Sequence, residues 1–328
     1  MNLLITGGLG FIGSNLIRYF LDKYPAYRII NLDAISWGAH LESLADREAD
    51  PRYTFIQGSI SDKALVNEIF SGERFGPIEG VINLAAESHV DRSIFDPSIF
   101  VQTNVAGTQV LLGAALRFIK KDELGRFRFL QVSTDEVYGS LGQAGYFTEE
   151  RPLRPNNPYA ATKAAADLLC RAYFHTYSLP VVTTRASNTY GPYQDVEKFI
   201  PLTITALLND RPVPIYGDGL NVRDWLHITD HCLALDLALH GGRPGEVYNI
   251  GARSERTNLE IAKMILHLLG KSESLLTFVD DRLGHDRRYA IDPTKIEREL
   301  GWSPKTNFNA GLLETIQWYE VHRNWWNG

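Results

Sequence analysis

Cysteine is scarce: the 328 residues contain two, Cys170 and Cys232. Two isolated thiols cannot staple a fold or form a structural zinc site alone, and such low usage suggests a reducing cytoplasm. Also missing is any uninterrupted apolar run of about 18 residues, so neither a membrane-spanning helix nor a membrane partner is expected. Basic charge is not in excess: 33 Lys and Arg stand against 39 Asp and Glu, a net charge of −6. That argues against nucleic acid as a partner, whose recognition usually leaves a basic footprint. Residues Met1 to Gly8 lack a basic segment ahead of an apolar one, so no secretory signal is expected. Repeats with a period of about 20–50 residues and low-complexity tracts are absent as well. What remains is an ordinary globular composition, 44% hydrophobic and 22% charged. The length accommodates a full core, as two domains or as one large domain with an appended lobe.

The first half alternates β-rich runs with helical periodicity. Residues 3–6, 27–32, 53–57, 80–84, 127–133 and 180–185 read as strands, and 11–23, 62–70, 99–118 and 158–177 as helices between them. This order predicts an α/β fold, a parallel sheet covered on both faces, with strands as apolar as Val81-Ile82-Asn83-Leu84. Beyond about residue 188 the rhythm loosens and turn signals multiply. Helices are expected at 198–209, 229–240, 258–269 and 309–322, while 224–240 and a short strand at 247–250 return to the main sheet. The domains are therefore 1–187 plus 222–251 for the sheet and 188–221 plus 252–328 for a smaller, discontinuous C-terminal lobe.

Thr6-Gly7-Gly8-Leu9-Gly10-Phe11-Ile12-Gly13 follows the first strand and opens the first helix. Glycines at Gly7, Gly10 and Gly13 permit a tight turn, close backbone approach to a pyrophosphate, and close packing of helix on strand. The helix N-terminus offers free N–H groups to phosphate. Asp33 lies about 20 residues further on, where an acid accepts from ribose hydroxyls and repels a 2′-phosphate. Together these predict a Rossmann-type doubly wound sheet that binds NAD rather than NADP.

Tyr159-Ala160-Ala161-Thr162-Lys163 places Tyr159 and Lys163 on one face of a helix. A phenol is a poor base near neutral pH, and a neighbouring ammonium is expected to favour the phenolate. Ser133-Thr134 ends the fifth strand and brings a hydroxyl suited to a substrate alcohol. The three fit proton abstraction during alcohol oxidation. Asp135-Glu136 follows directly. Two carboxyls in unlike surroundings can divide the work of acid and base.

These residues resemble the extended short-chain dehydrogenase/reductases. The resemblance sharpens at Leu84-Ala85-Ala86-Glu87-Ser88-His89-Val90-Asp91-Arg92-Ser93 and Ser133-Thr134-Asp135-Glu136-Val137-Tyr138-Gly139. It continues through Asn188-Thr189-Tyr190-Gly191-Pro192-Tyr193 and Gly284-His285-Asp286-Arg287-Arg288-Tyr289-Ala290-Ile291-Asp292. With these segments the chain is similar to the nucleoside-diphosphate-glucose 4,6-dehydratases over nearly its whole length.

The resemblance implies a lyase whose catalytic residues are Thr134, Asp135, Glu136, Tyr159 and Lys163. Tyr159 would take the O4 proton, Glu136 the C5 proton, and Asp135 would protonate the departing C6 hydroxyl. It implies cofactor contacts at Gly7, Gly10, Phe11, Ile12, Gly13, Asp33, Ala34, Ile35, Ser36, Ser59, Ile60, Leu84, Ala85, Ala86, Glu87, Thr103, Tyr159, Lys163 and Thr189. Sugar-nucleotide contacts are implied at Ser88, Thr134, Asn188, Lys198, Phe199, Pro214, Tyr216, Arg223, Asn258, Asp281, Arg282 and His285. A deoxythymidine-diphosphate sugar is the implied substrate, with a uridine-diphosphate sugar or an epimerase of the same fold as alternatives. A non-enzymatic dinucleotide sensor has no need for Tyr159, Lys163 and the acid pair together. In the family, helices matching 99–118 and 158–177 pair with their copies, so a homodimer is implied, here through Phe100, Val101, Val105, Val110, Leu111 and Leu112 on one helix and Leu168, Leu169, Ala172 and Tyr173 on the other. The chain departs from the family pattern at Ser59, in the run Ala34-Ile35-Ser36-Trp37-Gly38-Ala39-His40, at Thr189 and at Leu283.

His227 and His231 have a zinc-like i, i+4 spacing, but Thr229-Asp230 reads as a helix start between them. No metal site is expected, since zinc needs three or four convergent ligands. His89, beside Asp91 and Arg92, reads as a supporting residue.

Overall fold

The computed structural model describes residues 1–120, 122–281 and 283–327. Seven parallel strands form the main sheet: β1 Asn2–Thr6, β2 Arg28–Asp33, β3 Tyr53–Gln57, β4 Gly80–Asn83, β5 Arg128–Thr134, β6 Val181–Ala186 and, returning late in the chain, Val247–Ile250. Their order is β3-β2-β1-β4-β5-β6 followed by Val247–Ile250. The order reverses between β1 and β4, which is where doubly wound sheets bind their ligands. Register across the switch pairs Thr6 with Asn83.

Side chains alternate across the sheet as strand geometry requires. Leu3 and Ile5 point to one core, with Leu16, Phe20 and Leu235, while Leu4 points to the other with Ile69, Leu111 and Phe129. Helices Phe11–Lys23 and Ile228–Gly241 cover the first face; Lys63–Ser71, Ser98–Phe118 and Pro158–Tyr177 cover the second. Local chemistry sets their ends. Asp62 caps Lys63–Ser71 by accepting from the Ala64 and Leu65 amides, and Gly72 ends it at φ +76°. Asn157 caps Pro158–Tyr177, with proline in the first turn, where its missing N–H is harmless.

The smaller lobe holds β7 Asn188–Tyr190, β8 Val213–Tyr216, β9 Val222–His227, and the strands Glu255–Thr257 and Leu276–Val279. A three-stranded sheet joins β7, β9 and Glu255–Thr257, and β8 pairs with Leu276–Val279. The lobe has its own core, including Ile204, Ile215, Trp225, Ile265 and Leu312. Residues 222–251 therefore divide: Ile228–Gly241 and Val247–Ile250 lie on the main sheet, whereas β9 stands in the lobe. The apolar run Trp225-Leu226 reads like any buried strand, so pattern alone did not reveal its partner.

Among the described residues one helix, Ser98–Phe118, is long and apolar enough by length and composition to cross a membrane, although no unbroken apolar run marked it. It is a sheet-covering helix. Leu111, Leu112 and Ala115 are buried on the sheet, and the buried Asn104 and Thr108 hydrogen-bond within the protein. Its middle turn, Val101–Gly107, is a π-helix. The apolar residues assigned to a dimer face separate here. Phe100, Leu111 and Leu112 are buried, while Val101 is 51% and Leu168 57% exposed. Leu111 and Leu112 pack on the sheet, and Phe100 packs with Val90 and Tyr159.

Candidate active site

A cleft of about 500 Å³ opens at the carboxyl ends of the strands. Its floor is the glycine loop. Gly7 has φ +70°, and a Cβ there would stand 2.7 Å from the Ala85 amide nitrogen. A Cβ on Gly13 would stand 2.2 Å from the Gly7 carbonyl. Both positions need glycine, Gly7 for its left-handed backbone and Gly13 for helix–strand contact. Gly10 precedes Phe11–Lys23 and no side chain caps that helix, so its first-turn amides face the cleft uncapped. A dinucleotide's phosphates fit this cradle.

Side chains at the strand ends hold the loop in place. Asn31 accepts from the Gly8 amide at 3.0 Å, and Thr6 donates to Asn83 at 2.7 Å. Asn83 in turn donates to Gln131 at 2.8 Å. Asp33 accepts from the amides of Leu9 at 2.9 Å and Ile35 at 2.8 Å. Burial lifts its carboxyl above the ordinary value, and those amides pull the other way. Asp33 thus ties the glycine loop to the end of β2 and keeps lone pairs for further donors. Ser59 is engaged locally, with its hydroxyl 2.7 Å from that of Ser61. Ala34, Ser36, Ile60, Leu84, Ala85, Ala86, Glu87 and Thr103 line the cleft; Ile35 does not.

The reactive groups gather at the end of β5. Thr134 closes the strand and caps the turn Asp135–Tyr138 by accepting from the Glu136 amide at 3.3 Å. Asp135 is 2% exposed. Burial first, and then the neighbouring Glu136 charge, push its carboxyl well above the ordinary range. One of its oxygens receives a 3.4 Å contact from the Thr134 hydroxyl; the other has no partner among the described residues. Glu136 instead lines the cleft and accepts from Asn157 at 3.3 Å. The two adjacent carboxyls therefore differ: one is buried, where its proton is held more tightly, and the other is open to the cleft.

Tyr159 enters on the first turn of Pro158–Tyr177, with its amide donating to Ser93 at 3.2 Å and its ring edge-on to Phe100. Its phenol lies above the ordinary value, first by burial and then by the charges of Glu136 and Asp135, while the Thr134 hydroxyl opposes the rise. Lys163 lines the same cleft. The ammonium donates to the Val132 carbonyl at 2.8 Å, and burial draws its own pKa down. Asn104 locks this corner by accepting from the Glu87 amide at 2.9 Å and donating to Thr162 at 2.9 Å, so the π-turn ties loop 84–89 to the tyrosine helix.

Ser88, Thr134, Asn188 and Lys198 share the cleft, with the Lys198 ammonium on the Ser88 carbonyl at 3.0 Å. The remaining substrate positions stand in the lobe. Arg223 is 4% exposed, donates to the Asp286 carbonyl at 2.9 Å and lies over Tyr289. It partly offsets the upward shift at Asp135, which places its charge near the acid pair. Tyr216 is 40% exposed and edge-on to His285, whose imidazole meets Asp281 at 2.5 Å. Asn258 opens helix Asn258–Leu268, Pro214 sits within β8, and Phe199 packs beside Trp225 in the lobe core. Arg282 lies outside the described residues.

Sequence reasoning passed over Gln194, Asp195 and Glu197, which also line the cleft, and weighed His231, another lining residue, only as a metal ligand. Nothing in the spacing of the first three marks them, because the loop between Tyr190 and Phe199 reaches the cleft only in the folded chain. His231 meets the Thr189 hydroxyl at 2.9 Å, and burial lowers its pKa to about 3, so it is neutral. His227 instead caps helix Ile228–Gly241, with its side chain accepting from the Thr229 amide. The two histidines serve different neighbours.

Fold and site together define a dinucleotide-dependent short-chain dehydrogenase/reductase with two adjacent carboxyls after its fifth strand. The chain matches the family described as GDP-mannose 4,6 dehydratase over residues 4–315. It is 47% identical to a dTDP-glucose 4,6-dehydratase of an Actinoplanes species, over 99% of this chain and 100% of the relative. Among solved structures, the dTDP-glucose 4,6-dehydratase of Streptomyces venezuelae, described with NAD bound, superposes with TM-score 0.94 at 48% identity over 99% of each chain. That of Bacillus anthracis in complex with NAD gives 0.91 at 47% identity, over 100% of this chain and 99% of the other. The chain belongs to the dTDP-glucose 4,6-dehydratase family.

Proposed function

We infer that this chain converts dTDP-glucose to dTDP-4-keto-6-deoxy-glucose as an NAD-dependent hydro-lyase. The reading rests above all on Asp135, a buried carboxyl with a raised pKa, adjacent to Glu136, which lines the cleft with Tyr159. The glycine loop, the uncapped helix end and Asp33 would hold the dinucleotide. NAD bound there would supply a hydride acceptor for C4, in its reduced form a hydride donor for C6, and in its oxidised form a positive ring charge that favours the phenolate.

Tyr159 takes the O4 proton as C4 is oxidised, with Thr134 beside its hydroxyl to share the hydrogen bond. The new ketone acidifies C5–H, and Glu136 removes that proton. Asp135 gives its proton to the C6 hydroxyl, which departs as water. Glu136 returns a proton to C5 as C6 is reduced. The proton gained by Tyr159 and the one lost by Asp135 balance through solvent, so every group ends as it began. In this reading residues 1–187 with the returning stretch 228–251 serve chiefly the cofactor, and 188–221 and 252–328, joined by β9, serve the sugar nucleotide. Arg223 suits the diphosphate by its planar fork.

We propose further that the protein acts as a cytoplasmic homodimer. Val101, Leu168, Phe95 and Tyr177 leave apolar surface on neighbouring helices, and both cysteines are free and buried. The decisive experiment supplies dTDP-glucose and UDP-glucose separately, without added NAD, and follows the alkaline absorbance of a 4-keto product. Product from dTDP-glucose supports the reading. Product from UDP-glucose alone would shift the nucleotide, and none from either would end the dehydratase reading.

A further inference from the structure

The run 34–40, which departs from the family pattern, does more than line the cofactor cleft. Trp37 reaches across it. The indole nitrogen donates to Glu197 at 2.7 Å, and the ring lies beneath the Arg92 guanidinium at 3.1 Å. Glu197 also meets His89 at 3.1 Å and Arg92 at 3.6 Å. Three residues along, His40 meets Asp195 at 3.0 Å. Ser36, Trp37, Gly38 and Ala39 line one side of the cleft, and Gln194, Asp195, Glu197 and Lys198 the other. Two loops far apart in sequence thus close over one opening.

Both loops carry backbone that a side chain resists. Ile35 has φ +52° and Gly38 φ +77° in one; Tyr193 has φ +67° in the other. A β-branched residue in that region is held there by its surroundings. A wedge backs both loops. Trp325, on helix Arg323–Asn327, packs on His40 at 4.6 Å and on Tyr193 at 5.8 Å, and its indole donates to the Ser43 hydroxyl. Yet Trp37 is 53% exposed, so polar and cation–π contacts at the surface join the loops rather than a buried core. Contacts of that kind open locally without global unfolding.

We propose that Trp37 and Glu197 form a clasp across the dinucleotide cleft, backed by His40, Asp195 and Trp325, that sets the rate at which NAD exchanges. The proposal rests on the reading that NAD is used and regenerated in this cleft. A cofactor restored in every cycle never has to leave, so a closed clasp does not slow turnover.

The test loads the purified protein with NAD, dilutes it into labelled NAD, and follows uptake of label in wild type, Trp37→Ala, Trp37→Phe and Glu197→Gln. A charge-assisted hydrogen bond and a cation–π contact are lost together in Trp37→Ala, so exchange should quicken at least about tenfold. Trp37→Phe keeps a ring under Arg92 and should fall between the two. Trp37→Ala combined with Glu197→Gln should fall short of the product of the single effects, because they break one contact. Melting temperatures are measured alongside; if Trp37→Ala does not fold, Trp37→Phe and Glu197→Gln carry the test. Unaltered exchange in the folded variants overturns the clasp. Exchange that quickens only in step with a fall in melting temperature overturns it too. Failure of the wild type to bind NAD at all refutes the proposed function instead.

Discussion

Replacing Asp135 with Asn should cripple elimination and stabilise the protein at neutral pH. The side chain keeps its shape but loses the proton it is there to give. Removing a general acid typically costs about 10²–10⁴-fold in the step it serves, or about 3–5 kcal/mol of barrier at 1.36 kcal/mol per tenfold. Solvent exchange at C5 should survive, because Glu136 remains on the cleft wall. The stability effect has the opposite sign. Asp135 is 2% exposed, its carboxyl lies well above the ordinary value, and one oxygen is unpartnered among the described residues. A carboxyl whose folded pKa is raised is tolerated fully while the unfolded chain is also protonated. Stability is then lost as pH climbs from the unfolded pKa toward the folded one, since only the unfolded chain gains by ionising. The carboxamide of the variant never ionises. The stability of Asp135→Asn relative to wild type should therefore grow as pH rises from about 4, the unfolded carboxyl value, toward the raised folded one. Denaturant titrations across that range measure the gap, and deuterium incorporation with product analysis measures the chemistry. Wild-type turnover by Asp135→Asn, or a stability gap that shrinks as pH rises, would refute the assignment of Asp135 as the buried acid.

Tyr159→Phe should stop C4 oxidation by about 10²–10⁴-fold while leaving substrate affinity nearly intact, read as a fall in kcat at similar KM. Glu136→Gln can still accept from Asn157, so it should bind substrate, yet C5 exchange in deuterated water should fall by a similar factor. Gly7→Ala forces a side chain into φ +70° and against the Ala85 amide, and should cost about 2 kcal/mol or more of stability along with NAD binding, seen by melting and by cofactor titration.

The sequence by itself determined the parts list. Glycine spacing, alternating strand and helix periods, Asp33 after the second strand and the Tyr159–Lys163 spacing are all local, since each depends on backbone geometry over a few residues. Helix Phe11–Lys23 and strand Tyr53–Gln57 form where the pattern placed them for the same reason. What the pattern could not carry was anything decided between distant segments. Asp135 and Glu136 are adjacent and chemically alike; only the turn after β5 sends one into the interior and the other to the cleft. Lys163 stood one turn from Tyr159 on paper, but packing directs its ammonium to the Val132 carbonyl. β9 carries Arg223, Asp224 and His227 among its six residues, and its place in the lobe follows from partners at 188–190 and 255–257. Asn31, Asn83 and Asn104 gave no signal because a single amide is meaningless until tertiary contact supplies the N–H or C=O it satisfies. Trp37 and Glu197 met for the same reason: burial, protonation and pairing are properties of the neighbours a folded chain assembles, and those neighbours are remote in sequence.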